Sequence, residues 1–299
     1  MSADRLRRFL FEDAPVRGHW VRLARTWIEA REHQVLPGPV MSLLGESLAA
    51  TSLIAASLKF SGTLTLQLSG GTGPVSMLVA QATDAGTVRG VAHAEAASEE
   101  SAPGFQELVG GGRLLVTLEQ GDGAIPWQGV VPLAGDSLAS CLENYFAVSE
   151  QLPTAIFLAA DKSHAAGLLL QKLPASASQG ESEAAATQDV WEEATMLLAT
   201  LQADELLAWD VDELLRKLFG GRDLRLFDGE PVRFACRCSR GRVAAMLAGM
   251  GKAEVDSIIA EQGAVTVTCE FCRKPYRFDA VDAARLFIAA TPEAPPEFN

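Results

Sequence analysis

Two short motifs near the C-terminus decide how this chain is organised: Cys236-Arg237-Cys238 and Cys269-Glu270-Phe271-Cys272. Together they hold four of the five cysteines, and thirty residues separate one motif from the other. Zinc favours four tetrahedral ligands, and thiolate sulfur suits it well. Two close pairs at this separation therefore predict one Zn²⁺ ion bound by the four thiolates of Cys236, Cys238, Cys269 and Cys272.

The first motif suggests that this site is also a redox switch. Structural zinc sites usually contain a C-x-x-C pair, but here only Arg237 separates the two sulfurs. Thiols this close in sequence can leave the metal and join as a disulfide. Zinc-bound sulfurs are thiolates, which react with peroxide or hypochlorous acid. Five basic residues are expected to favour that anionic state: Arg233, Arg237, Arg240, Arg273 and Lys274. A purely structural zinc remains the alternative.

Composition indicates a soluble, cytoplasmic protein with a packed core. The chain has 299 residues, 48% of them hydrophobic and 21% charged, which is typical of two domains or of one large domain with an appendage. No apolar run approaches the roughly 18 residues of a membrane span, since Glu46 interrupts the longest one. No signal peptide is expected from the N-terminus. In the cytoplasm, clustered cysteines more often bind metal or sense redox state than form permanent disulfides.

The distribution of charge argues against a nucleic-acid partner. The net charge is −13, made up of about −5 in residues 1–180, −9 in 181–232 and +1 in 233–299. Nucleic-acid-binding proteins usually present a broad basic surface. Phosphates would therefore be repelled by most of this chain.

Residues 1–180 are predicted to form one α+β domain built on an antiparallel sheet. The first 60 residues show mainly helical patterns, and strands follow within residues 64–131. A helix is predicted at about 137–148, followed by a late hairpin at 156–158 and 167–172. Cys141 falls in that helix and is expected to be a small buried residue, although an accessory redox role is an alternative.

Residues 181–232 are predicted to form an acidic, metastable helical linker. A stretch rich in Ala, Ser, Glu and Gln at 175–188 has the composition of a linker, and helices are expected at about 189–203 and 210–219. Both helices mix leucines with many acids, so they can dock on an apolar surface and still remain soluble when undocked. The alternative is an ordinary helix pair packed on the core.

Residues 233–299 are predicted to form a small α+β zinc-binding domain. Its elements are a strand before the first motif, helices at about 242–247 and 254–261, strands at 264–268 and 276–278, and a helix at 281–289. About 60 residues give a thin core that needs a metal. Because metal binding and folding are coupled in such modules, oxidation is expected to unfold the domain. The tail at 292–299 is predicted to be disordered.

Beyond these local patterns, the chain resembles a known family along nearly its whole length: the redox-regulated holdases called heat-shock protein 33, or 33 kDa chaperonins. The two cysteine motifs match the metal motif of that family residue for residue. Further matching segments are Pro39-Val40, Leu43-Leu44-Gly45-Glu46, Leu58-Lys59-Phe60 with Gly62, Gly73-Pro74, Arg89-Gly90, Tyr145-Phe146, Ser149-Glu150-Gln151 and Gly167-Leu168-Leu169-Leu170-Gln171.

The resemblance implies a function as a chaperone and not as an enzyme. It implies a reduced, zinc-bound form that is inactive, and oxidation that joins Cys236 to Cys238 and Cys269 to Cys272. Zinc would then leave, the linker would unfold, and the chain would dimerise and hold unfolding client proteins without ATP. Exposed apolar patches flanked by charge capture other apolar surfaces. The linker at 191–219 and the sheet face within 64–131 are both candidates for the client-binding surface.

Two other functions remain possible on the motifs alone. A zinc ribbon could bind nucleic acid or a partner protein constitutively, although the net charge argues against nucleic acid. A thiol oxidoreductase could use the C-x-x-C pair, but four zinc-bound thiolates would leave it no free nucleophile.

Overall fold

The computed structural model describes residues 4–95, 103–121, 124–174 and 181–288. The chain forms two compact units, a larger unit of residues 1–235 and a smaller unit of residues 236–299. The larger unit contains both the predicted α+β domain and the predicted linker, and the four clustered cysteines all belong to the smaller unit.

The N-terminus is a β-hairpin, so the prediction of mainly helical structure is wrong for its first part. Strand β1 (Arg5–Phe11) pairs antiparallel with β2 (Val16–Leu23). The hairpin is apolar on both faces: Leu6 and Val21 contribute to one buried cluster, and Phe9 and Trp20 to another. Burial on both faces weakens the period-two alternation by which a strand is usually recognised.

The rest of the first 60 residues is helical as predicted, in α1 (Arg25–Arg31) and α2 (Gly38–Ser57). Helix α2 contacts strands of both sheets of the larger unit and lies at the centre of its core. Close packing requires a small residue at Gly45, where a Cβ atom would lie 2.6 Å from the Cβ of Ala160. Among the described residues, α2 alone is long and apolar enough to cross a membrane, and 83% of that stretch is buried inside the protein.

The described part of the larger unit contains two β-sheets, whereas the sequence predicted one. The first has the order β10 (Leu224–Leu226), β1, β2, β9 (Ala165–Lys172) and β8 (Thr154–Ala160), with β11 (Glu230–Pro231) also paired to β1. The second has the order β12 (Arg233–Phe234), β5 (Thr87–Ala94), β4 (Val75–Thr83), β3 (Gly62–Ser69), β6 (Arg113–Gln120) and β7 (Trp127–Pro132). All pairs are antiparallel except β12 with β5. Two further helices lie in this region, α3 (Phe105–Val109) and α4 (Leu138–Ser149). The predicted strands, α4 and the late hairpin are confirmed.

The predicted linker forms three helices that pack on the first sheet: α5 (Glu181–Ala199), α6 (Ala203–Ala208) and α7 (Val211–Phe219). Residues 181–188, which have the composition of a linker, are helical, and 175–180 lie outside the described residues. The chain then adds the short strands β10 (Leu224–Leu226), β11 (Glu230–Pro231) and β12 (Arg233–Phe234) to the edges of the two sheets. The strand predicted before the first cysteine motif is therefore part of the larger unit.

The smaller unit has the predicted order of elements. Its core is a cluster of six buried residues: Leu247, Val255, Val265, Tyr276, Phe278 and Ala283. The elements are α8 (Arg240–Met250), α9 (Lys252–Gln262), β13 (Val265–Thr268), β14 (Pro275–Phe278) and α10 (Ala280–Ile288), with β13 and β14 paired as a hairpin. The predicted disordered tail lies outside the described residues.

Candidate metal centre

The second cysteine motif is held by a tight turn between β13 and β14. The amide of Cys269 donates to the carbonyl oxygen of Lys274 at 3.0 Å, and the amide of Arg273 donates to the carbonyl oxygen of Cys269 at 2.8 Å. Arg273 has a φ of 54°, in the left-handed region that closes the turn. The first motif directly precedes α8, where the Ser239 hydroxyl caps the helix by accepting from the amide of Arg242.

The fold brings all four predicted ligand atoms together. The Sγ atoms of Cys236 and Cys269 are 3.6 Å apart, those of Cys238 and Cys272 are 3.5 Å apart, and all four lie within 4.8 Å of one another. A tetrahedron with Zn–S bonds of about 2.3 Å has sulfur–sulfur edges of about 3.8 Å. The spacing therefore suits a tetrahedral metal ion, and each of the four residues is a free thiol.

Burial works against the negative charge that a metal ligand needs. Burial raises the pKa of Cys272 to about 12, and it also raises the pKa of Cys236. Burial opposes ionisation of Cys238 as well, but hydrogen bonds from the Tyr276 hydroxyl and the neighbouring thiols lower its pKa to about 7. Four sulfurs this close cannot all hold a negative charge unless a cation lies between them. The cluster is therefore suited to a bound cation.

The structure identifies Tyr276 as a residue that the sequence motifs do not reveal. Its hydroxyl lies 3.1 Å from the Sγ of Cys238, and its ring belongs to the buried core of the smaller unit. The residue joins the sulfur cluster to the core. The only sequence signal for this role is its position four residues after Cys272, at the start of a predicted strand.

One of the five basic residues that were expected to favour thiolates forms other contacts. Arg240, expected to favour thiolates, pairs instead with the carboxylate of Asp282 at 2.7 Å and stacks on the ring of Phe278. The pKa values of the thiols shift because of burial, Tyr276 and neighbouring sulfurs. Arg240 thus helps to hold the smaller unit together.

Cys141 lies outside this cluster, in α4 of the larger unit. It is 2% exposed, as predicted for a small buried residue, and its sulfur accepts a hydrogen bond of 3.3 Å from the amide of Gly135. Burial raises the pKa of its thiol, which keeps it in the unreactive protonated form.

Comparison with known proteins agrees with this architecture. The family model described as Hsp33 protein matches residues 4–279. The 33 kDa chaperonin of Ectopseudomonas mendocina is 42% identical over 98% of both chains, and that of Shewanella sediminis is 43% identical over 96% of both chains. The crystal structure of the 33 kDa chaperonin from Thermotoga maritima superposes with a TM-score of 0.79 at 25% identity, covering 95% of this chain and 98% of that one.

The match extends from the N-terminal hairpin to the strand after the second cysteine motif, so it includes both units and the four-thiol cluster. The chain therefore belongs to the Hsp33 family, a family of chaperones and not of enzymes.

Proposed function

We propose that this chain is an oxidation-activated holdase of the cytoplasm, which binds unfolding proteins under oxidative stress without using ATP. In the reduced form, Cys236, Cys238, Cys269 and Cys272 hold one Zn²⁺ ion and the chaperone is inactive. The observation that carries the proposal is that the four-thiol cluster is continuous with a small core, which has six buried residues in the described part of the unit, because Cys238 and Cys269 pack against that core.

Such a core is too small to keep the smaller unit folded without its metal. Below about 70–80 residues, a single hydrophobic core rarely supplies more than about 3–5 kcal/mol, whereas structural zinc in small modules contributes on the order of 10–16 kcal/mol. The bound metal would thus supply most of the stability of the smaller unit.

Oxidation would remove the metal ligands. Each disulfide forms when two thiolates lose two electrons, and these electrons, with two protons from solvent, reduce one hydrogen peroxide molecule to two water molecules. A sulfur bonded to another sulfur no longer carries the charge that holds Zn²⁺, so the ion would dissociate and the smaller unit would unfold.

We propose disulfides Cys236–Cys238 and Cys269–Cys272, although the shortest sulfur contacts in the folded cluster run between the motifs, from Cys236 to Cys269 and from Cys238 to Cys272. Once the unit unfolds, closing a loop within a motif costs less entropy than closing one of more than thirty residues. Peptide mapping after oxidation would distinguish the two pairings.

The client-binding surface would be the face of the first sheet that α5–α7 cover. That face contributes large apolar side chains to a buried cluster with the three helices, among them Phe9, Phe11, Val16, Trp20, Leu168 and Leu170. Undocking of the helices would expose both this face and their own leucines. Exposed apolar surface of this kind captures unfolding proteins and would also support the proposed homodimer.

Two features support easy undocking of α5–α7. The segment 181–232 carries a net charge of about −9, which opposes compaction. The buried indole Nε1 of Trp20 has no hydrogen-bond partner among the residues that the structure describes, and an unsatisfied buried donor costs about 1–3 kcal/mol. Only three residues separate position 232 from Cys236, so the end of the segment adjoins the proposed switch in the chain.

A light-scattering assay tests the proposal. Peroxide-treated protein should suppress the aggregation of a heat-unfolding client without ATP, and the reduced zinc form should not. Oxidation should also change the protein from one zinc and five thiols to no zinc and one thiol, that of Cys141. Equal activity of the two forms, or zinc retained after oxidation of the thiols, would contradict the switch.

A further inference from the structure

A cavity of about 550 Å³ lies in the larger unit, where the first and second sheets meet. Its walls come from β2 and β9 of the first sheet, β6 and β7 of the second sheet, the end of α2, and α4 with the loop that follows it. Cavities that bind small molecules commonly measure about 300–1,000 Å³ and combine apolar walls with a few polar groups. The proposed redox switch does not use this cavity.

Most of the wall is apolar and partly aromatic. The ring centroids of Trp127 and Tyr145 are 6.4 Å apart and those of Tyr145 and Phe146 are 5.7 Å apart, both in edge-on geometry. Aliphatic side chains of Ile54, Leu118 and others complete the lining. An elongated apolar group would gain contact area against such a wall.

The guanidinium of Arg17 lies on this wall, and hydrogen bonds to a buried side chain fix its position. The Oε1 atom of Gln171 accepts hydrogen bonds from Nε of Arg17 at 3.0 Å and from Nη2 at 2.7 Å. Gln171 is completely buried and its amide donates to the hydroxyl of Thr154 at 3.2 Å. The guanidinium of Arg17 is therefore held in one orientation before any ligand binds.

Arg17 has no carboxylate partner within salt-bridge distance in the part of the chain that the structure describes. Its Nη1 group makes no hydrogen bond to another described residue. A half-buried guanidinium without a counter-ion is costly, and a bidentate carboxylate is its best partner. The other charged group on the wall, Glu150, accepts from the Tyr145 hydroxyl at 2.9 Å and is exposed to solvent.

We propose that this cavity binds an apolar monocarboxylate of the size of a medium-chain fatty acid. Its carboxylate would pair with the guanidinium of Arg17, and its chain would lie against the wall formed by Trp127, Tyr145 and Phe146. Glu150, which lines the same cavity, opposes the binding of an anion. This site goes beyond the proposed redox function and would be present in the reduced protein.

Calorimetric titration of decanoate into the reduced, zinc-loaded protein tests the proposal. Decanol serves as the neutral probe with the same chain, and Arg113→Met, a change at an exposed arginine outside the cavity, serves as the matched control for Arg17→Met. Decanoate should bind saturably, and Arg17→Met should weaken it at least about tenfold. The affinity for decanol should be the same in both variants.

Two further variants keep the test decisive if Arg17→Met does not fold. Arg17→Lys retains the charge but not the bidentate geometry, so it should bind decanoate more weakly than the native protein does and decanol equally well. Glu150→Gln removes the opposing charge and should strengthen binding of decanoate alone. Equal affinity of decanoate for native protein and folded Arg17 variants, or no saturable binding below its micellar concentration, would overturn the proposal.

Discussion

The two units of this protein are stabilised in different ways. The larger unit buries α2 between two sheets and covers the outer face of the first sheet with α5–α7, so its stability comes from two extensive apolar clusters. In the part that the structure describes, the smaller unit has one core cluster of six buried residues beside four thiols. One chain thus combines a unit with two large apolar clusters and a unit whose small core adjoins four oxidisable thiols.

The comparison explains why a redox switch would be local. Cys141, the one cysteine of the larger unit, is buried and kept protonated, whereas the cysteines of the smaller unit are partly exposed. An oxidant would therefore react first where the apolar core is smallest. The largest expected effects are those that remove the metal ligands, and the smaller ones alter single contacts within either unit.

The largest effect is expected from Cys269→Ser. Loss of one thiolate ligand should abolish stable zinc binding and unfold the smaller unit, because the metal contributes on the order of 10–16 kcal/mol to such modules. Hydrogen exchange should show lost protection across 240–288 and retained protection across the sheets of the larger unit. Cys141→Ser is the matched control and should keep its zinc; equal loss of zinc in both variants would contradict the division between the units.

A smaller effect is expected from a substitution in the apolar cluster that joins α5–α7 to the first sheet. Leu214→Ala removes a fully buried side chain from the contact between α7 and the first sheet. It should lower the free energy of unfolding by about 2–5 kcal/mol. The helices should undock without oxidant, so the reduced protein should suppress client aggregation in light scattering.

Leu53→Ala in α2 provides the control, since it removes an equally buried leucine from the other cluster. It should lower the free energy of unfolding by a similar amount without activating the reduced protein. Activation by both variants would show that general destabilisation, and not undocking of α5–α7, exposes the client-binding surface.

Tyr276→Phe should weaken zinc binding without unfolding the zinc-loaded unit. The change removes the hydroxyl that donates to Cys238 but retains the buried ring. Loss of a hydrogen bond that orients a metal ligand typically costs about 10–100-fold in metal affinity. Chelator competition measures the change, and an unaltered affinity would show that the hydroxyl does not support the metal centre.

The smallest effect concerns two buried titratable groups in the larger unit, His19 and Glu46, whose contributions to stability change with pH in opposite directions. Burial, with repulsion from Arg17 and Arg8, lowers the pKa of His19 to about 3. Its contribution to stability is present above pH 6.5 and is lost as pH falls. Burial raises the pKa of Glu46 to about 7, so its contribution is present below its ordinary pKa of 4.5 and is lost as pH rises through 7.

In the native protein, these two effects of pH on the free energy of unfolding should largely cancel between pH 5 and 6.5. Glu46→Gln removes the strongest opposing contribution, although burial also raises the pKa of Glu143, which opposes His19 in the same way. Stability should therefore fall by up to about 1.4 kcal/mol for each pH unit of acidification in that window. Urea unfolding of the larger unit at several pH values measures this dependence. A free energy of unfolding that stays constant over this pH range in Glu46→Gln would show that folding does not lower the pKa of His19.

Prediction from sequence succeeded where the signal was local and failed where it was distant. Alternation within 64–131 predicted the strands of the second sheet, and leucines at helical spacing predicted α7. The β1–β2 hairpin was missed because its two buried faces obscure the alternation. The docking of residues 181–232 on the first sheet was not predictable in detail, since amphipathic helices do not specify which surface they cover.

By itself, the sequence determined which residues could bind a metal, because ligand type and close spacing are properties of neighbouring residues. It also indicated a small C-terminal core, for which a metal is the proposed source of further stability. Only the tertiary structure decided that Tyr276 donates to Cys238 and that Gln171 orients Arg17 from 154 residues away. Such pairs depend on strand register and sheet packing, and these are set by the burial of the whole chain.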